Sequence, residues 1–230
     1  MKTLGIIGGI APESTIAYYR TIVALYRERT NGQYPSIIIN SIDLTMLLKL
    51  AAENRHKDLA EYLVAETRKL AAAGAELSLF ASNTPHIVFD EVSAQSPIRL
   101  LGIVESTFRA AKEAGLQRVA LFGTRFTMQA GFYNSFFQPR GISVVLPDPS
   151  DQEFIHTKYM QELVNARFLD STRQELLAIA EKMKRDSQIQ GVILGGTELP
   201  LLLRDSSWSG LHLLDTGKIH AEWAVEQMLA

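Results

Sequence analysis

The chain has 230 residues, with 23 Lys+Arg against 25 Asp+Glu and a formal charge of −2. At 47% hydrophobic it can bury enough apolar surface to offset its ordering entropy, which excludes a disordered chain. The near-neutral balance gives no electrostatic reason to expect nucleic acid or an anionic membrane as partner. With no cysteine at all, disulfides, thiolate–zinc sites and any cysteine nucleophile or base are excluded.

Short runs of Ile, Val and Leu alternate with segments of helical period. The first run, Leu4–Gly8, reads as a buried strand, and Pro12 and Glu13 cut it too short for a signal peptide or membrane span. A cytoplasmic protein is expected. Pro12 is placed to start a helix over Glu13–Thr30. A second strand follows at Ser36–Ser41, then a short helix over Asp43–Leu50 capped by Asp43 or Ser41. His56–Ala73 is helical and ends at Gly74. Strands are expected at Leu77–Ala81 and Ile98–Ile103, then a helix over Glu105–Ala114. Val119–Phe122 opens a second set, with one helix over Met128–Phe137 and a strand at Ile142–Leu146. Helices near Asp151–Asn165 and Ser171–Asp186 precede strands at Val192–Leu194 and Leu211–Leu214, and a helix over Lys218–Leu229 closes the chain. This alternation argues an α/β fold with mostly parallel sheets covered by helices.

The pattern is written twice. Gly8 and Gly123 stand 115 positions apart, as do Tyr18 and Tyr133; Ser82 and Gly196 stand 114 apart. Offsets of half the chain predict two similar α/β domains, 1–102 plus 215–230 and 103–214. The boundary falls near Leu101–Glu105, a return crossing near Trp208–Thr216, and the last helix packs back on the first half.

Ligands of parallel α/β sheets bind beyond the carboxyl ends of the strands, where helix starts offer backbone N–H groups. Four corners qualify. Gly8–Thr15 brings Ser14 and Thr15 to a helix start, but its glycines fit neither GxGxxG nor a P-loop, and it reads equally as a tight turn. Ser82-Asn83-Thr84-Pro85-His86 offers Asn83 and Thr84 to a carboxylate or amine, or as helix caps. Gly123–Thr127 sets Thr124 and Thr127 around a helix start, with Arg125 either ligand-facing or solvated. Gly195-Gly196-Thr197-Glu198 implies close approach to backbone; Glu198 could orient an ammonium, act as acid or base, or favour a helix dipole. None of the five histidines makes a short ligand pair, so no metal is expected.

Taken in order, GIIGGIAPESTIAYY, SNTPH, LFGTRFTMQAGFY, GVILGGTELP and LLDTGKIHAEWAVEQML resemble the aspartate/glutamate racemase family along essentially the whole chain. That resemblance implies two pseudo-symmetric α/β/α domains with the site in the cleft between them, a homodimer, a small amino acid or dicarboxylate as ligand, and no cofactor. It implies substrate contacts at Asn83, Thr84, Thr124, Thr127, Thr197 and Glu198, with Arg167 as a basic anchor. It also places two catalytic cysteines at positions held here by Ser82 and Gly196. A thiol ionises near neutrality; a serine hydroxyl is a far weaker acid, and glycine has no side chain. Two-thiol racemisation is therefore expected to be lost or very weak. Two classes stay open: an enzyme with a rearranged acid–base set, drawing on His86, Glu198 or Asp43, and a non-catalytic amino-acid binder acting as sensor or inactive partner.

Overall fold

A computed structural model describes residues 1–10, 12–203 and 210–230. Ala11 of the first corner, and 208 and 209 of the expected return crossing, lie outside the described residues. The chain divides into two compact units, Met1–Ile103 with Gly217–Ala230, and Val104–Thr216.

The first unit is built on strands β1 (Leu4–Gly8), β2 (Ile37–Ser41), β3 (Leu77–Phe80) and β4 (Arg99–Leu101), in the spatial order β2-β1-β3-β4. All pairs are parallel; Leu4 stands opposite Ile37 on one side and Leu77 on the other. Helices α1 (Pro12–Arg29), α2 (Leu44–Ala52), α3 (His56–Ala72) and α4 (Phe89–Gln95) accompany the sheet. Asp43 caps α2 as expected, its side chain accepting the Thr45 N–H at 2.8 Å. One core cluster joins Leu4 and Ile6 of β1, Tyr18 and Ile22 of α1, and Leu77 and Leu79 of β3. The closing helix α11 (Thr216–Leu229) adds Ala221, Trp223, Val225 and Met228 to it.

The second unit repeats the plan. Strands β5 (Arg118–Gly123), β6 (Ser143–Val145), β7 (Gly191–Gly195) and β8 (His212–Asp215) lie in the order β6-β5-β7-β8, again all parallel. Gly8 and Gly123 therefore end the corresponding inner strands β1 and β5. The chain's other helices are α5 (Ile103–Glu113), α6 (Arg125–Gln129), α7 (Phe132–Phe137), α8 (Pro149–Gln161), α9 (Asp170–Ser187) and α10 (Leu199–Leu203).

Three expectations need correction. The single helix over Met128–Phe137 is two, α6 and α7, because Gly131 takes the left-handed conformation (φ 79°) that breaks the ladder. The helix expected to run to Asn165 stops at Gln161 and tightens into a 3-10 turn over Leu163–Asn165, closed by Ala166 at φ 55°. Helix α4 was not expected, since the short FDEVSAQ stretch carries one buried residue, Val92, and so shows no period. No described helix is long and apolar enough to cross a membrane.

Candidate active site

In the first unit the corner follows β3, whose four residues are all buried. Ser82 is half-buried, and its hydroxyl has no hydrogen-bond partner among the described residues. Asn83 is buried and precedes a 3-10 turn, Thr84–Val88, without capping it through its side chain; Thr84, half-buried, opens that turn.

His86 lies in the same turn, fully buried and committed on both ring nitrogens. Its Nε2 accepts the Ile103 N–H at 2.9 Å, so Nδ1 carries the proton and donates to the Ser82 carbonyl at 3.1 Å. Burial, with His220 nearby, pushes its pKa down to about 3. His220, whose ring centroid lies 6.2 Å away, is held the opposite way. The Leu101 carbonyl can only accept, so Nε2–H donates to it at 3.1 Å, and Nδ1 accepts the Tyr18 hydroxyl at 2.9 Å. Burial takes His220 to about 3 as well. Both are neutral structural pins, and neither has a lone pair left to act as a base toward Ser82. Asp43 is likewise occupied as a helix cap.

In the glycine-rich first corner the Gly9 N–H donates to Thr15 Oγ1 at 2.9 Å. Ser14 is buried.

In the second unit, Thr124 caps α6 by accepting the Thr127 N–H at 3.2 Å, and the two hydroxyl oxygens stand 3.2 Å apart. Arg125 is exposed and paired with Glu153 at 2.5 Å, while its N–H donates to His156 Nδ1 at 3.3 Å. Burial and the Arg125 charge hold His156 below its ordinary value. Arg167 is exposed on the connection from α8 to α9. Its N–H donates to the Glu162 carbonyl at 2.9 Å. Burial raises the Glu162 carboxyl, but its bonds to Lys158 and Thr172 and the charges of Lys158 and Arg167 outweigh that and hold it low.

The corner after β7 holds a residue that sequence reasoning missed. Tyr159, on α8, lies directly over Gly196. A Cβ added to Gly196 would fall 2.7 Å from Oη and 2.8 Å from Cζ of Tyr159, and nearer still to Cε2. The Tyr159 hydroxyl donates to Glu198 Oε2 in a short bond. Thr197 Oγ1 donates to the same oxygen at 2.9 Å. Tyr159 and Glu198 are only 8% and 7% exposed. Burial first, then the Glu198 charge, raises the Tyr159 phenol well above its ordinary value, so it keeps its proton at neutral pH. The missing side chain at 196 hinted that something fills that volume, but only the packing of α8 identifies the occupant.

The Asp/Glu/hydantoin racemase family model matches residues 7–224. The chain belongs to this family. A broad specificity amino-acid racemase, RacX of Bacillus subtilis, is 23% identical over 99% of this chain and 98% of its own length. The crystal structure of a Yersinia pestis protein ascribed to the Asp/Glu racemases superimposes with a TM-score of 0.92 at 33% identity, with full coverage of both chains. An aspartate racemase homologue from Pyrococcus horikoshii gives 0.86 at 32%, also with full coverage of both. The fold is thus that of the family: two four-stranded parallel sheets with flanking helices.

Proposed function

We propose that this family member binds a small amino acid, dicarboxylic or closely related, and does not carry out two-thiol racemisation. The ligand-facing groups we assign are Asn83 and Thr84 in the first unit and Thr124, Thr127, Thr197 and Glu198 in the second. Arg167 is assigned as the anchor of a ligand carboxylate. The reading calls for neither metal nor cofactor.

Inverting an α-carbon without a cofactor needs a base on one face and an acid on the other. The observation that carries the loss of this chemistry is Tyr159 over Gly196. The second thiol position has no side chain, and its volume is taken by a phenol that holds its proton. Ser82, at the first position, lacks a base among the described residues because His86 is bound to backbone on both nitrogens. The complete absence of cysteine excludes a displaced thiol elsewhere in the chain.

Proton NMR in deuterated water with L- and D-aspartate and glutamate tests this directly, alongside calorimetric titration of the same compounds. Saturable binding with no loss of the α-proton signal above the uncatalysed rate is expected. Interconversion of the enantiomers at ordinary enzymatic turnover would refute the reading. The homodimer expected from the resemblance is checked by sedimentation velocity, as one species of twice the chain mass.

A further inference from the structure

The second unit contains a cavity of about 180 Å³ between α6–α7 and the β5–β6 side of its sheet. Its inner wall is buried and largely apolar, formed by Leu121 of β5, Met128 of α6 and Tyr133 of α7. Val144 of β6, half-buried, and Leu146 just beyond that strand, exposed, lead outward to solvent. The amides of Gln129 and Asn134, both exposed, stand at the rim. No described residue of the lining carries a charge.

Gly131 opens this space. A Cβ added there would meet no atom within 4 Å, and its left-handed backbone separates α6 from α7. At the repeat spacing of 115 positions, Gly131 and Asn134 correspond to Ile16 and Tyr19 of the uninterrupted α1. Two large side chains of the first unit are thus replaced in the second by none and by a small amide. The strand wall is common to both units, since Val144 stands opposite Val119 as Ile37 stands opposite Leu4. The helix wall is what differs. Water held against Leu121, Met128 and Val144 finds few polar partners, so an apolar group displaces it favourably. An apolar space of about 150 Å³ takes a benzene ring, so this one suits a body of roughly six to eight non-hydrogen atoms. A charged ligand would bring its ion unpaired against an apolar wall, which selects a neutral one.

We infer that this cavity is a binding site for a compact, neutral apolar molecule, aromatic or branched-aliphatic, separate from the corner assigned to the amino acid. Thr127 is a wall common to both, its hydroxyl oxygen lying 3.2 Å from that of Thr124. The remaining walls, from Leu121, Met128, Tyr133, Val144 and Leu146, include none of the ligand-facing groups assigned above. The site stands on its volume, its uncharged lining and Gly131, and does not depend on amino-acid binding.

Met128, buried in the cavity wall, reports occupancy. The full chain has six methionines; in protein carrying methyl-labelled methionine, the Met128 signal is assigned by its loss in Met128→Leu. Titration with toluene up to its solubility limit is expected to shift that signal saturably in the NMR spectrum, and to leave the methyls of Met46 and Met228 in the first unit unmoved. Benzoate and benzylammonium, the same ring with a charge, are expected to bind at least about tenfold more weakly. Val144→Phe and Leu146→Phe fill the space from the strand side and are expected to weaken toluene by about tenfold or more. Circular dichroism confirms that each is folded, and either suffices if the other is not. No saturable shift in wild type, charged rings bound as well as toluene, or an unchanged response in a folded filling variant would overturn the site. The shift is expected to persist in excess L- or D-aspartate; displacement of toluene by aspartate would place the cavity within the amino-acid corner and overturn its separateness.

Discussion

The two buried histidines of the first unit make its stability fall steeply in mild acid. Unfolded, each binds a proton with a pKa near 6.5; folded, each resists protonation down to about 3. Between those values the unfolded chain binds more protons, so stability is complete above about pH 6.5 and drains away as pH falls toward 3. At pH 5.0 the unfolded side chain is almost fully charged and the folded one almost fully neutral. The loss relative to pH 7.5 is then about 2 kcal/mol per histidine, and about 4 kcal/mol for the pair. This figure depends only on the unfolded pKa so long as the folded one stays well below 5. It is a large share of the ~5–15 kcal/mol that stabilises a typical domain. Urea unfolding followed by far-ultraviolet circular dichroism at pH 7.5 and 5.0 measures it. Other groups also titrate, so the decisive quantity is the pH-dependent loss in wild type minus that in His220→Gln, whose amide can still donate to the Leu101 carbonyl. A difference of about 2 kcal/mol is expected. Equal losses in the two proteins would show that His220 is not buried neutral, and the pinning argument would fall.

Gly196→Cys should destabilise the chain by about 1–3 kcal/mol through overpacking against Tyr159; the penalty should largely vanish when measured in a Tyr159→Ala background, as chemical denaturation of the four proteins would show. Gly131→Ala should cost about 1 kcal/mol by backbone conformation alone, since φ is 79° and a Cβ there meets nothing within 4 Å; an unchanged thermal midpoint would contradict it. Asp43→Ala should cost about 1 kcal/mol for the lost α2 cap, with Asp43→Asn recovering most of it in the same urea assay.

Much of this architecture could be read from residue order. The offset of 115 between Gly8 and Gly123 corresponds to the ends of β1 and β5. The two sheets share one strand order, an inner pair flanked by an edge strand on each side. Strands buried on both faces, such as Gly191–Gly195, announce themselves as apolar runs. Polar contacts were harder. His86 looked like candidate chemistry, and what makes it inert is backbone: the Ile103 N–H and the Ser82 carbonyl. Arg125 stood open as a ligand contact until α8 brought Glu153 to it. Tyr159 lies 39 positions from Glu198, and no local rule connects a helix residue to a strand end at that distance. Local propensity and period act within a few residues; the pairings that define this corner form only when α8 packs on its sheet.

The first unit is interrupted. Its N-terminal 103 residues hold the whole sheet, but Ala221, Trp223, Val225 and Met228 of the core arrive on the far side of the second unit. The second unit has its full complement of residues by Thr216, whereas the first lacks a wall of its interior until Gly217–Ala230 are added. The amino-terminal unit therefore cannot be completed ahead of the second, as the usual vectorial order would have it. Until the last helix emerges, the β1–α1 face carrying Ile6, Tyr18 and Ile22 is an open apolar surface in the nascent polypeptide, the kind of surface a chaperone shields.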